Sequence, residues 1–351
     1  MGDPQAPFET VRAVLDHHGL LKHDRLRDDV QLVSMGDHFD WGHPSERKKA
    51  TDDGLALVTW LASHPPTQAV LIAGNHDLGR VCELQPFADD AAFEAAWTMA
   101  MAAYRGGQPD EEASRAFLER YPHVPDAECI ARDFSCFSVA QRELVTELLR
   151  TGRLVLAHAH AGLLLVHAGV TTEDFALIGA APVDASSAAD SLNGYLRQRV
   201  EAWREGPLSL TPLHQPGSAA GGVARGVLFH RPAVPTEDPR LRWQFRGPPR
   251  RRFDPRGLPA AFPQAVGHIR DKKCRELLGD WADSETPVDG VLRALRIEGD
   301  RVSYARGTPA DARLYFLDAG MNHGPAARYQ LFDLDRRQPI QPTPKLAISG
   351  T

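Results

Sequence analysis

The sequence predicts an α/β fold, and three observations in the first part of the chain indicate it. Two short apolar runs, Val30–Met35 and Ala69–Ala73, have the length and composition of buried strands. Between them, residues 51–63 have the apolar spacing of an amphipathic helix, which two prolines then end. A polar residue follows each strand, Asp37 after the first and Asn75 after the second. Because ligand sites in α/β folds form outside the carboxyl ends of strands, this pattern also predicts where a site lies.

The remaining elements extend this pattern and add a helical segment. Residues 8–19 have apolar residues at helical spacing, with Gly19 as the predicted C-cap. From about residue 85 to 150 the chain is alanine-rich and lacks strand signals, which predicts a helical insertion with helices at 89–105, 110–120 and 139–151. Further elements are predicted as strands at 154–160, 163–167, 263–266, 291–297, 301–305, 312–318 and 328–333, and as a helix at 190–203.

We predict a single domain over residues 1–335 that contains this insertion, followed by a loose tail at 336–351. Residues 215–260, rich in Gly, Pro and Arg, are predicted to be mainly loop. If Asp3 ends a strand, as Asp37 does, that strand is missing from the printed sequence. We expect it to lie upstream of the printed start, and the alternative is a sheet that lacks this edge.

Composition and charge restrict the partners of the chain. Its 351 residues are 42% hydrophobic and 25% charged, which is typical of a globular protein. The net charge of −6 gives no reason to expect nucleic acid, whose phosphates are bound by clustered Lys and Arg. One basic run, Arg246–Arg256, contains five arginines. We interpret it as a solvated loop, with the rim of a site for an anionic substrate as the alternative.

Neither the cysteine spacing nor the hydropathy pattern indicates a secreted or membrane protein. No apolar run is long enough to cross a membrane, and the N-terminus lacks the pattern of a signal peptide. We therefore predict a cytoplasmic protein without a membrane partner. The cysteines form no C-x-x-C pair and are too few for a disulfide scaffold, so we predict four reduced thiols, at Cys82, Cys129, Cys136 and Cys274.

Two segments carry the strongest chemical signal, Gly36–Gly42 with the sequence GDHFDWG and Gly74–Asp77 with the sequence GNHD. Glycine lets the chain turn sharply and approach a metal or phosphate closely. A carboxylate such as that of Asp37 can bridge two hard cations, and an amide oxygen such as that of Asn75 can ligate one. His76, beside that ligand, is placed to donate a proton to a leaving group.

The pattern GD-x-x-D followed by GNH[DE] resembles the signature of the calcineurin-like metallophosphoesterases, in particular their phosphoprotein phosphatase branch. Four further segments are similar to the family's GDxH, HAG, RGV and GH motifs and follow in that order, at 2–5, 166–170, 225–227 and 267–268. Strong matching is confined to the motifs, and the insertion at 85–150 resembles bacterial members. The resemblance implies a four-layer α/β/β/α sandwich of two mixed sheets, with a metal site at one edge.

The resemblance also implies a role for each matching side chain. His76 is expected to act as the general acid, oriented by a hydrogen bond to Asp40, and Arg225 is expected to bind the substrate phosphate. Asp37 is expected to bridge two metals, between which an activated water attacks phosphorus in line. The other implied ligands are Asp3 and Gln5 at the first metal and Asn75, His167 and His268 at the second.

Three substitutions set this chain apart from the family pattern. Gln5 replaces a histidine, and Arg270 stands where many members have the last histidine of GHxH. The first site therefore lacks imidazole, and oxygen ligands favour Mn²⁺ or Mg²⁺. We predict two divalent ions, Mn²⁺ before Mg²⁺, Fe or Zn²⁺. Trp41 replaces a phosphate-binding arginine and is predicted to pack in the core, with stacking on a nucleobase as the alternative. The residues that could replace that arginine are Arg225, Arg231, Arg270 and Arg47.

Together these features predict a hydrolase for a phosphate ester, most simply a monoester on a protein or a small molecule. A phosphodiester or a dinucleotide polyphosphate is an alternative within the same chemistry. A non-catalytic metal-binding relative is the alternative from another class; the three substitutions favour it, and the presence of both His76 and Asp40 opposes it. A nuclease would need a basic groove, against which the acidic net charge argues.

Overall fold

The computed structural model describes residues 1–105 and 108–341, where helices and strands alternate as the predicted α/β fold. The predicted helices at 8–19, 89–105, 110–120 and 139–151 form at nearly the expected bounds. The α-helices of the described residues are α1 (Phe8–His17), α2 (Arg47–Ala62), α3 (Asn75–Gly79), α4 (Asp90–Ala103), α5 (Glu111–Arg120), α6 (Val139–Arg150), α7 (Thr172–Leu177), α8 (Ala185–Ala202), α9 (Pro239–Arg242) and α10 (Asp271–Leu278).

Two helices begin earlier than predicted because of their N-terminal residues. The side chain of Asp184 accepts the backbone N–H of Ser187 at 2.7 Å, so α8 begins at Ala185 rather than at residue 190. Helix α2 begins at Arg47 rather than at residue 51, directly after a 3₁₀ turn over Pro44–Glu46. Both corrections lengthen a helix at its N-terminus and leave the predicted alternation unchanged.

Within the described residues, nine strands form two principal sheets. The first is wholly parallel, in the order β1-β2-β3, and the second is mixed, in the order β8-β7-β9-β6-β5-β4. The expectation of two mixed sheets is therefore wrong for the smaller sheet. The strands are β1 (Leu32–Ser34), β2 (Ala69–Ile72), β3 (Leu154–Val155), β4 (Ala157–His160), β5 (Leu163–Val166), β6 (Gln264–Val266), β7 (Arg293–Glu298), β8 (Arg301–Arg306) and β9 (Leu314–Phe316).

Several pairs of two-residue strands form small sheets of their own. Two of these pairs lie in the segment predicted as loop at 215–260, the first of them beginning one residue earlier, at His214. The predicted strand at 328–333 is reduced to its last two residues. The short pairs are Leu21–Lys22 with Arg25–Leu26, Tyr104–Arg105 with Gln108–Pro109, His214–Gln215 with Arg225–Gly226, Arg231–Pro232 with Arg252–Phe253, and Phe332–Asp333 with Gln338–Pro339. The predicted loose tail thus contains one paired strand, and its last part, 342–351, lies outside the described residues.

Alternating side chains of the strands enter two different cores. Leu163 and Leu165 of β5 pack in one cluster with Val33 of β1 and Ile72 of β2. Leu164 and Val166, which point to the other face of β5, belong to a larger cluster that includes apolar residues of α1, α2 and α8. Since successive side chains of a strand point to opposite faces, the mixed sheet is buried on both sides.

The predicted strand at 154–160 is two strands that belong to different sheets, β3 and β4. The chain leaves the first sheet at Leu156, where the Oδ1 of Asn193 accepts the N–H groups of both Leu156 and Ala157 at 3.0 Å. The amide of Asn193 also donates to the carbonyl of Ala157 at 2.8 Å. A side chain of α8 therefore supplies the hydrogen bonds that a continuous ladder would have made, and a local apolar pattern does not carry this information.

The helical insertion has a hydrophobic core of its own. Phe87, Phe93, Phe117, Phe134 and Phe137 pack together in a buried cluster that spans residues 84–137. Helix α6 contacts this cluster through the half-buried Val139 at its start, whereas its buried Val145, Leu148 and Leu149 belong to the main core. The segment with a separate core is therefore shorter than the predicted insertion at 85–150.

Residues Met1 and Gly2 lie beside β1, where the sequence lacks a predicted strand. The Met1 nitrogen donates to the carbonyl of Val33 at 2.9 Å, and Met35 N–H donates to the carbonyl of Met1 at 3.1 Å. A Cβ on Gly2 would lie 1.9 Å from the carbonyl oxygen of Leu317, so only glycine fits there. This contact sets Asp3 between the ends of β1 and β9.

No helix of the described residues is both long and apolar enough to span a bilayer. The four cysteines are buried and unpaired.

Candidate metal centre and active site

Side chains from four strand ends converge at one edge of the two sheets. Asp37 follows β1, Asn75 follows β2, His167 follows β5 and His268 follows β6. The ligand atoms of Asp37, His167 and His268 lie within 4.8 Å of one another. Nε2 of His167 is 3.4 Å from Oδ1 of Asp37 and 3.1 Å from Oδ1 of Asn75. Residues that are far apart in sequence are thus brought together as predicted.

Two buried polar atoms at this edge lack a hydrogen-bond partner among the described residues, Oδ1 of Asp3 and Nε2 of His268. The other carboxylate oxygen of Asp3 accepts the N–H of His268 at 2.7 Å, which holds the two residues together. Leaving a buried polar atom unpaired costs about 1–3 kcal/mol. Cations bound at these two residues would satisfy both atoms, so the donor set fits divalent metal.

Hydrogen bonds orient the free nitrogen of His167 and the free oxygen of Gln5. Nδ1 of His167 donates to the carbonyl of Met35 at 2.8 Å, which leaves Nε2 as the lone-pair nitrogen that faces Asp37. A histidine that binds metal commonly has its other nitrogen fixed in this way. Gln5 donates its amide N–H to the carbonyl of Phe39 at 3.2 Å, so its amide oxygen remains available to a cation.

The carboxylates of the site are crowded, and their pKa values show it. Burial, and then the charges of Asp318 and Asp37, raise the pKa of Asp3 well above its ordinary value. Burial opposes ionisation of Asp37, but His167 and His76 outweigh it and hold the pKa of Asp37 below its ordinary range. Burial, and then the charge of Arg231, lower the pKa of His268. Several buried carboxylates crowded beside imidazole nitrogens form an environment that a divalent cation stabilises.

His76 is held by a buried chain of hydrogen bonds. Its Nδ1 donates to Oδ2 of Asp40 at 2.9 Å, and Arg80 donates to the same oxygen at 2.5 Å. The N–H of Cys136 donates to the other oxygen of Asp40 at 2.8 Å. Burial lowers the pKa of His76, but Asp37 and Asp40 outweigh it and raise the pKa, which favours the protonated ring. Nε2 of His76 is 4.0 Å from Oδ2 of Asp37, so the ring faces the candidate metal ligands.

Asp77 and Arg80 were not predicted as site residues, although both lie in or just after the GNHD motif. Oδ2 of Asp77 accepts the N–H groups of Gly74 at 2.7 Å and of Asp37 at 3.0 Å. Asp77 therefore ties the turn after β1 to the turn after β2. Arg80 lies one helical turn beyond His76 and is completely buried. This helical spacing is the sequence signal that could have predicted a contact between Arg80 and the site.

Gly74→Ala is expected to displace the Asp37 carboxylate. A Cβ at position 74 would lie 2.2 Å from Oδ1 and 2.4 Å from the backbone nitrogen of Asp37. Overpacking of this kind costs about 1–3 kcal/mol, which urea denaturation would measure. The control is Gly194→Ala in α8, where nothing lies within 4 Å of the added Cβ. That change should leave stability equal or higher by up to ~1 kcal/mol. Equal stability of the two variants would mean that Asp37 moves without cost.

Arg80→Met is expected to destabilise the protein by about 3–5 kcal/mol, because it leaves the buried Asp40 carboxylate without its cation. The guanidinium is completely buried, and Asp40 is nearly so. Arg240→Met is the matched control, since it breaks a pair with Asp238 at 2.8 Å that solvent screens, and it should change stability far less. Chemical denaturation of both variants measures the difference. A loss at position 80 as small as that at position 240 would contradict the buried ion pair.

A cavity of about 370 Å³ opens over the convergent side chains. Of the predicted site residues, those that line it are Asp3, Gln5, Asp37, Asn75, His76 and His268. His167 and Asp40 lie behind this surface and contact Asp37 and His76. The helical insertion supplies one wall through Pro125, Cys129 and Phe134, and the Phe134 ring packs edge-on against His76 at 5.3 Å. The insertion is therefore part of the site and not a separate appendage.

The structure does not bring Arg225 to the cavity. Its guanidinium donates to the side chain of Gln215 at 3.2 Å, on the neighbouring two-residue strand. Arg47 is also engaged elsewhere, in an ion pair with Glu94 at 2.8 Å. The cationic side chains that do line the cavity are Arg132, Arg231, Arg251, Arg270 and Lys273. Arg251 belongs to the basic run at 246–256, so that run is not only a solvated loop.

Trp41 is 5% exposed and packs with Ala50 and Cys136. The ammonium of Lys49 lies 5.0 Å from the centre of its ring. The prediction that Trp41 is a packed residue is confirmed.

A second group of ligand-type atoms comes from the buried residues Cys82, Glu83 and His214, of which Glu83 lines the cavity. Each residue already has a hydrogen-bond partner. Cys82 donates to the carbonyl of Leu208 at 3.3 Å, Glu83 accepts from Gly217 at 3.1 Å, and Nδ1 of His214 lies 3.1 Å from the carbonyl of Arg225. We therefore interpret these three side chains as part of the packing between the loop at 208–226 and the rest of the protein.

Comparison of the chain with models of known protein families, with curated proteins and with solved structures found no significant match. Its chemistry must therefore be argued from the site itself. The arrangement offers carboxylate, amide and imidazole ligands for divalent cations and a histidine held for proton transfer at the mouth of a cavity.

Proposed function

We propose that the protein is a metal-dependent hydrolase of phosphate esters, in agreement with its resemblance to the calcineurin-like metallophosphoesterases. One observation carries the proposal. The ligand atoms of Asp37, His167 and His268 converge within 4.8 Å, next to a His76–Asp40 pair that faces the same cavity. A site that only bound metal would have no physical need for an oriented proton donor.

The residues fit two divalent cations. The proposed ligands are Asp3 and Gln5 for the first ion, Asp37 for both, and Asn75, His167 and His268 for the second. When bound, such ions polarise the phosphoryl group and lower the pKa of water, which supplies the nucleophile. The first set contains only oxygen donors, so we propose Mn²⁺ as the preferred ion, ahead of Mg²⁺, Fe or Zn²⁺.

Side chains of the protein supply the proton for the leaving group in the proposed reaction. Asp40 fixes Nδ1 of His76 as a donor, so the proton on Nε2 is the one directed at the cavity. Transfer of that proton to the leaving oxygen avoids release of an alkoxide, which makes His76 the proposed general acid. Arg80 keeps Asp40 ionised: burial opposes ionisation, but the guanidinium and His76 lower the pKa of Asp40.

We also propose the four-layer arrangement for the fold. The support is the division of β5 between two cores, one shared with β1 and β2 and the other shared with α1, α2 and α8. Such a division is expected when two sheets pack face to face and helices cover their outer faces.

The decisive experiment is hydrolysis of para-nitrophenyl phosphate and of bis-para-nitrophenyl phosphate by the purified protein with Mn²⁺, Mg²⁺ or a chelator. We expect turnover that requires metal and is faster with Mn²⁺ and with the monoester. Faster turnover of the diester would make the protein a phosphodiesterase. Metal binding without turnover of either ester would favour the non-catalytic alternative.

A further inference from the structure

Arg231 and Arg251 line the cavity, the first at the start of a short strand and the second directly before the strand that pairs with it. Arg231–Pro232 pairs in parallel with Arg252–Phe253, and the N–H of Arg231 donates to the carbonyl of Arg251 at 3.1 Å. This pairing places the two side chains next to each other, and both line the cavity. Neither position belongs to a motif that the family resemblance covers.

Neither guanidinium has a carboxylate partner within the described residues. Nε of Arg231 is buried and lacks a hydrogen-bond partner there, and Arg251 donates to a backbone carbonyl, that of Ala224, at 3.0 Å. Burial, and then the charge of Arg251, lower the pKa of Arg231 to about 10, so it remains charged at neutral pH. The carboxylates of Asp126 and Asp133 line the same cavity, but neither forms an ion pair with Arg231 or Arg251 within the described residues. An anion bound beside the two guanidiniums would supply the direct contacts that these carboxylates do not make.

The Phe229 ring links Arg251 to the candidate metal ligands. The guanidinium of Arg251 lies 6.0 Å from the centre of the Phe229 ring, which itself packs edge-on against His268 at 5.9 Å. Arg231 lines the same cavity as His268, and its Nε is buried. Both arginines therefore lie in the part of the cavity that His268 and Phe229 line.

We propose that Arg231 and Arg251 form a subsite for a second phosphoryl group, next to the group that is hydrolysed. The inference rests on the proposed function and narrows its substrate to compounds with two linked phosphoryl groups, such as nucleoside polyphosphates. Arg231 contacts both groups, and Arg251 contacts the outer one. The apolar faces of Phe134 and Phe229 lie beside this subsite and accommodate the organic part. The cavity, at about 370 Å³, is within the range of small-molecule sites.

The test is isothermal titration of the full-length protein in saturating Mn²⁺ with inorganic phosphate and with imidodiphosphate, which resists hydrolysis. The wild type should bind imidodiphosphate about tenfold or more tighter than phosphate. Arg251→Met should remove most of this preference and leave phosphate binding unchanged, whereas Arg231→Met should weaken both. Arg251→Lys, which keeps the charge and loses the planar fork, should fall between.

Arg225→Met is the matched control, since Arg225 lies outside the cavity and the variant experiences the same chelation of Mn²⁺ by imidodiphosphate. Equal weakening of both anions in Arg251→Met would mean that the two arginines clamp one phosphoryl group, and this would overturn the proposal. Unchanged affinities in both cavity variants would also overturn it. Binding is read without turnover, so an inactive protein that keeps the preference separates this inference from the proposed hydrolysis.

Discussion

Asp37→Asn is expected to lower kcat/KM for para-nitrophenyl phosphate by roughly 10³-fold or more and to reduce the bound metal to less than two ions. The two side chains are nearly the same size, so the variant keeps the shape of the turn after β1. Its Oδ1 can still accept the N–H of His76, a bond of 2.9 Å in the wild type. What it loses is the negative charge that both proposed metals share.

The control for this variant is Asp52→Asn in α2, which removes a carboxylate in an exposed pair with Lys48 and should leave activity and metal content unchanged. Metal content by mass spectrometry and kcat/KM would be measured on the same preparations. If Asp37→Asn kept both its full metal content and its full turnover, Asp37 would not be the ligand that the two ions share. Full metal content with lost turnover would show that its charge matters after binding.

The strand ends were predictable because apolar runs and the polar residues that follow them are adjacent in sequence. Asp37 and Asn75 follow β1 and β2 directly, and the parallel pairing of these strands places both residues at one edge. His167 and His268 were located through short motifs, and β5 and β6 are likewise parallel neighbours. Because the strands of each pair are parallel neighbours, the polar residues that follow them meet at one edge of the sheets.

Features that depend on contacts distant in sequence were not predictable in the same way. The chain changes sheets at Leu156 because Asn193, on a later helix, supplies the hydrogen bonds. Arg225 matched a motif, yet its loop turns it toward Gln215. Arg251 lies in a run with the composition of a solvated loop, and only its pairing with the strand at Arg231 brings it to the cavity. In each case the deciding partner lies outside the local sequence pattern, ten residues away for Arg225 and farther for the others.

His76→Gln is expected to lower kcat by about 10²–10⁴-fold for an ester with a poor leaving group. The loss should be smaller for para-nitrophenyl phosphate, because para-nitrophenolate leaves without needing a proton. The measurement is the ratio of kcat values for phenyl and para-nitrophenyl phosphate in wild type and variant. Asp40→Asn should change this ratio in the same direction, since it removes the charge that orients and stabilises the protonated ring through a contact of 2.9 Å.

The matched control is His160→Gln, which removes an imidazole that pairs with Asp335 at the surface, at 2.7 Å, and is not among the cavity residues. It should leave both esters unaffected. If His76→Gln slowed the two esters by the same factor, the ring would act by holding the phosphoryl group and not by donating a proton. Because uniform binding affects both leaving groups equally, whereas proton donation discriminates between them, the ratio and not the size of the loss decides the role of His76.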